Sequence, residues 1–145
     1  VMTPERFQRY FKFAIVRNPW SRLVSEYEFI LRTPGHGRYR KVRKLDDFAA
    51  FVKMQIPRQD AYQTSQLCDG EGRLLMDYVG RLGTLQQDWQ AICDRIGIPC
   101  SDLPKINVGN NRPYAEYYSQ DLRDLVAHHW SREIELFSLE FETGP

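Results

Sequence analysis

Phe13, Ala14, Ile15 and Val16 form an unbroken apolar run that ends on Arg17, and Asn18 and Pro19 follow at once. A run this short, with no polar alternation, suits a strand buried on both faces, as in a parallel sheet. Asn18 then fits an N-cap and Pro19 the first helical position, where a missing N–H costs nothing and the fixed φ is already helical. From there the apolar period changes. Trp20, Leu23, Val24, Tyr27, Ile30 and Leu31 recur at helical spacing, while Ser21, Arg22 and Ser25 fall outside that stripe. A buried strand feeding a helix through one tight junction predicts the α/β class.

The same junction concentrates positive charge. Strand exits in open α/β sheets are favoured ligand positions. Here the guanidinium of Arg17 adjoins the positive end of the helix dipole and the unpaired N–H groups of a first turn, a combination suited to a phosphate. Ser25, two turns into the helix, adds a hydroxyl that can hold a second oxygen. The competing reading pairs Arg17 with a carboxylate and leaves Ser25 to water, and the residues alone leave both open.

The string IVRNPWSRLVSEY, from Ile15 to Tyr27, resembles the carbohydrate sulfotransferase family, the Golgi-type enzymes and their bacterial relatives that use 3′-phosphoadenosine 5′-phosphosulfate (PAPS). In that family the arginine and serine of an R-N-P-x-x-R-x-x-S pattern bind the 3′-phosphate of the donor, and the resemblance carries those roles onto Arg17 and Ser25. It continues through Gln66-Leu67, MDYVGRLGTLQQDW from Met76 to Trp89, and LPKINVGNNRPYAEYY from Leu103 to Tyr118, so it covers nearly the whole chain. It implies a P-loop-like nucleotide-binding fold with a small parallel sheet flanked by helices. It also implies PAPS as donor, 3′-phosphoadenosine 5′-phosphate (PAP) as product, and in-line transfer to a hydroxyl, on a carbohydrate or another acceptor.

Two departures from the family pattern qualify that expectation. No glycine-rich lysine loop for the 5′-phosphosulfate is present, and such a loop normally precedes the arginine motif. The chain is therefore expected to be the C-terminal portion of a longer domain, lacking the first strand and phosphate loop. The catalytic base is expected in the missing part, so the catalytic residue is unassigned, with His36 the only loop histidine to weigh. Gly83 stands where the family has an acidic residue, and Gln86 and Asp88 are the nearest replacements.

A second strand signal, Leu74, Leu75, Met76, Tyr78 and Val79, ends at Gly80-Arg81 and repeats the strand-exit arginine. Arg81 either approaches the nucleotide or makes a structural salt bridge. Asn107 to Arg112 is a polar loop that the resemblance sets near the donor, making Asn107 and Arg112 further binding candidates. Its asparagines and glycine also simply favour turns.

Elsewhere the pattern reads as packing. Asp46 or Asp47 can cap a helix with Phe48, Phe51 and Val52 inward, closed by Pro57. Thr84 and Gln87 have capping-box spacing ahead of a buried face of Leu85, Trp89, Ile92, Cys93 and Ile96, with Gly97 as the stop. Ser119 caps a last long helix with Leu122, Leu125, Val126 and Trp130 inward, running on towards Ile134, Leu136 and Phe137. Between Thr33 and Gly37 the pattern breaks, and Arg38, Arg40, Lys41, Arg43 and Lys44 follow without an acid between them. This predicts a mobile basic loop that either attracts an acidic acceptor, with Tyr39 as a stacking face, or is solvated and balanced by Asp46 and Asp47.

At 145 residues a chain can bury roughly two-thirds of its unfolded surface, enough for one core and a single domain over 1–145. The net charge of +1 gives no global reason for nucleic-acid or membrane binding. Interleaved aromatics typical of single-strand nucleic-acid platforms are too few. No run of about 18 apolar residues and no signal peptide is present. Cys68, Cys93 and Cys100 have no metal-ligand spacing, and His128 and His129 lack a third ligand, so no metal is expected. Cys93 suits the core, while Cys68 and Cys100 lie near loops and can pair. Reduced thiols are the preferred state, which predicts a cytoplasmic protein, or a Golgi-lumenal one if an upstream anchor exists. A non-catalytic module binding an adenosine phosphate or an acidic glycan is the alternative to a sulfotransferase.

Overall fold

The computed structural model describes residues 3–104 and 112–142. In chain order these form α1 (Pro4–Arg9), β1 (Phe13–Val16), α2 (Pro19–Arg32), α3 (Tyr39–Val42), α4 (Phe48–Gln55), α5 (Thr64–Leu67), β2 (Tyr78–Arg81), α6 (Leu85–Ile96), α7 (Gln120–His129) and α8 (Ser131–Leu136). Short 3-10 turns lie at Gln59–Ala61, Leu82–Thr84 and Tyr114–Tyr117. Two compact units result, one of Val1–Arg17 with Thr64–Ile106 and one of Asn18–Gln63 with Asn107–Pro145.

In the first unit β1 and β2 pair in parallel, from Phe13 opposite Tyr78 to Val16 opposite Arg81. Lys12 clamps the entry to this pair. Its carbonyl accepts the Asp77 and Tyr78 N–H groups at 2.8 and 3.1 Å, and its own N–H donates to Asp77 Oδ2 at 2.7 Å. The second strand begins later than the apolar run predicts. Leu74 instead forms an isolated antiparallel bridge with Cys68, because the Asp69 carboxylate accepts the Glu71 and Arg73 N–H groups and Gly72 takes φ +82, closing a tight reversal.

Helix α6 packs on β2 through Gly80. A Cβ at that position would lie 2.7 Å from Asp88 Cβ and 2.8 Å from Ile15 Cδ1, so only glycine admits the approach. The helix stops at Gly97, in the left-handed region at φ +76, as the sequence predicts. Its start differs from the expected capping box: Thr84 Oγ1 donates to Asp88 Oδ2 at 2.6 Å and makes no cap bond. Ile92 and Cys93 are fully buried, but Ile96 is 43% exposed and lies off the buried face.

The second unit is helical. Its core joins Trp20, Leu23, Val24 and Ile30 of α2 to Val42, to Phe48, Phe51 and Val52 of α4, and to Leu122, Val126 and Trp130. Asp47 caps α4 by accepting the Ala50 N–H at 2.8 Å, and Ser119 caps α7 by accepting that of Leu122 at 3.3 Å. The expected single last helix is divided at Trp130. This residue is fully buried, its Nε1 donates to the Ala61 carbonyl at 3.2 Å, and its ring stacks on Tyr62 at 4.9 Å. These ties hold Trp130 at φ −103, ψ 17, outside helical geometry.

The predicted basic loop is a helical turn, α3, pinned by Val42 in the core. Arg38 makes an ion pair with Glu26 and donates to Gln55 Oε1 at 3.4 Å, and Arg43 lies over the Tyr39 ring at 5.9 Å. Tyr39 packs against the core and so is not a free stacking platform. Among the described residues no helix is long and apolar enough to cross a membrane.

Candidate anion-binding site

The parallel register sets two arginine positions at one edge of the first unit. Arg81 ends β2 opposite Val16, and Arg17 is the next residue after Val16, so both stand at the C-terminal end of the strand pair. That end is where open α/β sheets take their ligands. Arg81 is exposed and Arg17 half-buried. The backbone at Arg81 is fixed from α6: its N–H donates to Asp88 Oδ2 at 2.9 Å.

Asp88 organises this edge. Besides the Arg81 N–H it accepts the Tyr78 hydroxyl and the Thr84 hydroxyl, each at 2.6 Å. Burial pushes its carboxyl up, but the bonds from Thr84, Tyr78 and the Arg81 N–H outweigh this and hold it below the ordinary aspartate value. With three donors already in place, Asp88 serves as a structural acceptor at this edge. Gln86 is likewise engaged, donating to Asp102 and accepting the Leu103 N–H at 3.1 Å.

In the second unit Asn18 and Pro19 begin α2 as the sequence predicts, with Asn18 Oδ1 accepting the Ser21 N–H at 2.7 Å. That cap, the proline and the Arg22 N–H bond to the Asn18 carbonyl at 3.0 Å leave the first turn few free donors. The helix start therefore contributes its dipole more than the open N–H set expected from sequence. Asn18, Arg22 and Ser25 follow at spacings of four and three and lie on one face of α2. Ser25 is half-buried. Arg22 Nε and Nη2 are buried and have no hydrogen-bond partner among the described residues. Orphaned guanidinium donors are costly and call for an acceptor. Arg22 is a further candidate that sequence reasoning passed over, although its spacing of three from Ser25 was the available signal.

Arg112 donates Nε–H to Glu116 Oε2 at 2.9 Å and lies over the Tyr117 ring at 4.5 Å. The bond to Glu116 raises its pKa and offsets its charge locally. Tyr117 in turn donates its hydroxyl to Glu28. Asn107 lies outside the described residues. His36 is built into a turn: its Nδ1 accepts the Arg38 N–H at 3.1 Å, and its ring meets Phe29 edge-on at 5.9 Å. Among the described residues no group of three or more His, Cys, Asp or Glu could hold a metal ion.

Residues 2–140 match a family model described as the sulfotransferase family. No match was found among curated proteins or among solved structures.

Proposed function

The chain belongs to the sulfotransferase family, and on that premise we propose that it transfers a sulfuryl group from PAPS to a hydroxyl of a carbohydrate. Arg17 and Ser25 hold the 3′-phosphate of the donor, and Arg81, Asn107 and Arg112 approach the nucleotide. The fold is P-loop-like and 1–145 belongs to one sulfotransferase domain. The observation that carries this reading is the parallel strand pair whose C-terminal end bears both Arg17 and Arg81. Arg22 Nε and Nη2, without a partner among the described residues and on the same face of α2 as Ser25, suit a phosphate and support it further.

When bound, the donor supplies a sulfuryl group carried on a phosphate leaving group, which the acceptor oxygen displaces in line. The chain's own part is positioning and charge neutralisation. A guanidinium and a hydroxyl eight residues apart fix the nucleotide, and the cationic strand ends lower the cost of gathering its negative charge. No described side chain is assigned as the base that takes the acceptor's proton. His36 Nδ1 is committed to the Arg38 N–H. The exposed cations Arg40, Lys41, Arg43 and Lys44 favour an acidic acceptor by long-range attraction.

Transfer of labelled sulfate from PAPS to a panel of neutral and acidic glycans tests this. Label in carbohydrate, abolished by Arg17→Ala, is the expected result. Saturable PAP binding without transfer would identify a binding module instead, and transfer confined to non-carbohydrate hydroxyls would overturn the acceptor assignment.

A further inference from the structure

Phe29 stands outside the apolar stripe of α2 and is 52% exposed. It follows Ser25 by four residues, so an open aromatic ring continues the polar face that carries Asn18 and Arg22. Arg32, three residues further on, is exposed beside it and spends only its Nε–H, on the Glu28 carbonyl at 3.3 Å. His36 meets the Phe29 ring edge-on at 5.9 Å. His36 is itself held in place, its N–H donating to the Thr33 carbonyl at 2.8 Å and its carbonyl accepting the Tyr39 N–H at 2.9 Å. The chain then enters α3, where Tyr39, Val42 and Leu45 pack on the core at spacings of three and turn Arg40, Lys41, Arg43 and Lys44 outward. All four are exposed, and among the described residues none makes a salt bridge. Glu26 is taken by Arg38, and Asp47 is occupied as the cap of α4.

We infer that Phe29, Arg32 and the four outward cations of the α3 turn form a docking surface for an acidic polysaccharide. Its carboxylate or sulfate groups meet the cations, and the apolar C–H face of one sugar ring covers Phe29. This rests on the carbohydrate acceptor proposed above and names its class, a chain that repeats a ring and an anion unit by unit. A membrane surface calls for an apolar helix face, whereas the outward positions of α3 are all charged. A single-stranded nucleic acid calls for a series of stacking rings, and one open ring is offered. Exposed cations on a rigid turn each contribute little against solvent and salt, so affinity comes from several engaged at once. Phe29 stands about three turns beyond Asn18. The surface therefore grips the acceptor chain away from the start of α2, and long chains are held better than short ones.

Calorimetric titration without PAPS tests this, using decagalacturonate, a dextran sulfate decasaccharide and a neutral dextran decasaccharide. The acidic chains are expected to bind saturably and about tenfold more tightly than trigalacturonate, with affinity falling steeply between about 50 and 200 mM salt. The neutral chain is expected to give no saturable heat. Binding of only one acidic chain identifies the recognised anion as carboxylate or as sulfate. The combined variant Arg40→Ser, Lys41→Ser, Arg43→Ser, Lys44→Ser should lose about tenfold in affinity and flatten the salt dependence. Phe29→Ala should weaken decagalacturonate and leave inorganic polyphosphate, an anion without a sugar ring, unchanged. Both variants should keep the wild-type affinity for PAP, so failure of this surface is distinguishable from failure of the donor site. Equal affinity for neutral and acidic dextran, a Phe29→Ala loss shared by polyphosphate, full acidic-chain affinity in the combined variant, or tighter binding to a single-stranded oligonucleotide or phosphatidylserine vesicles than to either acidic chain would overturn the proposal.

Discussion

The backbone of Gly80 lies so close to Asp88 that a Cβ on Gly80 would come within 2.7 Å of Asp88 Cβ. Asp88 is on α6, and its Cβ is too near the helix backbone to swing aside. Gly80→Ala must push the helix off the strand, and the expected cost is about 1–3 kcal/mol. Urea unfolding should show a lower midpoint. An unchanged midpoint would mean that α6 rides on β2 less tightly than the distances state.

Asp88 itself supplies a pH signature. Its folded-state pKa is depressed, so its contribution is complete above the ordinary aspartate value of about 3.9 and is lost as pH falls through the lower folded value. Asp88→Asn leaves the Arg81 N–H facing an amide, and the expected loss near neutrality is about 1–3 kcal/mol. In wild-type protein the thermal midpoint should drop more steeply with acid than in Asp88→Asn. Parallel pH profiles for the two would remove Asp88 from this role.

Gln55 is fully buried, yet its Nε2 has no partner among the described residues, and its Oε1 receives only a long 3.4 Å bond from Arg38. Burying an unsatisfied amide donor costs about 1–3 kcal/mol, whereas a methionine of similar shape has nothing to satisfy. Gln55→Met is therefore expected to raise the thermal midpoint. A lowered midpoint would show that the amide has an acceptor.

The junction from β1 to α2 was legible because each of its signals is local: a four-residue apolar run, an asparagine cap and a proline at the first helical position. The match of Asp47, Ser119 and Gly97 to helix ends has the same origin. Misreadings came where a residue distant in sequence decides. The apolar run from Leu74 does not encode register, and the bridge to Cys68 takes its first residues out of the strand. Trp130 keeps the helical period but is drawn out of helical geometry by Ala61 and Tyr62. Thr84 has the spacing of a capping box, but Asp88 takes its hydroxyl. The cations after Gly37 read as a loop because neither the ion pair of Arg38 with Glu26 nor the burial of Val42 has a local signal. In the candidate site, Arg17 and Ser25 stand out as residue types in a pattern. The spacing of Arg22 from Ser25 was open to the same reading, whereas the lack of a partner for its guanidinium among the described residues is a property of packing.

The central claim is that Arg17 and Ser25 grip the 3′-phosphate of an adenosine nucleotide, and calorimetric titration of PAP against adenosine 5′-phosphate tests it most directly. The protein should bind PAP saturably and adenosine 5′-phosphate at least about tenfold more weakly, a gap equal to one charge-assisted contact. Arg17→Ala and Ser25→Ala, each still folded by circular dichroism, should narrow that gap by weakening PAP alone. Equal affinity for the two nucleotides, or a gap that survives both substitutions, would contradict the claim.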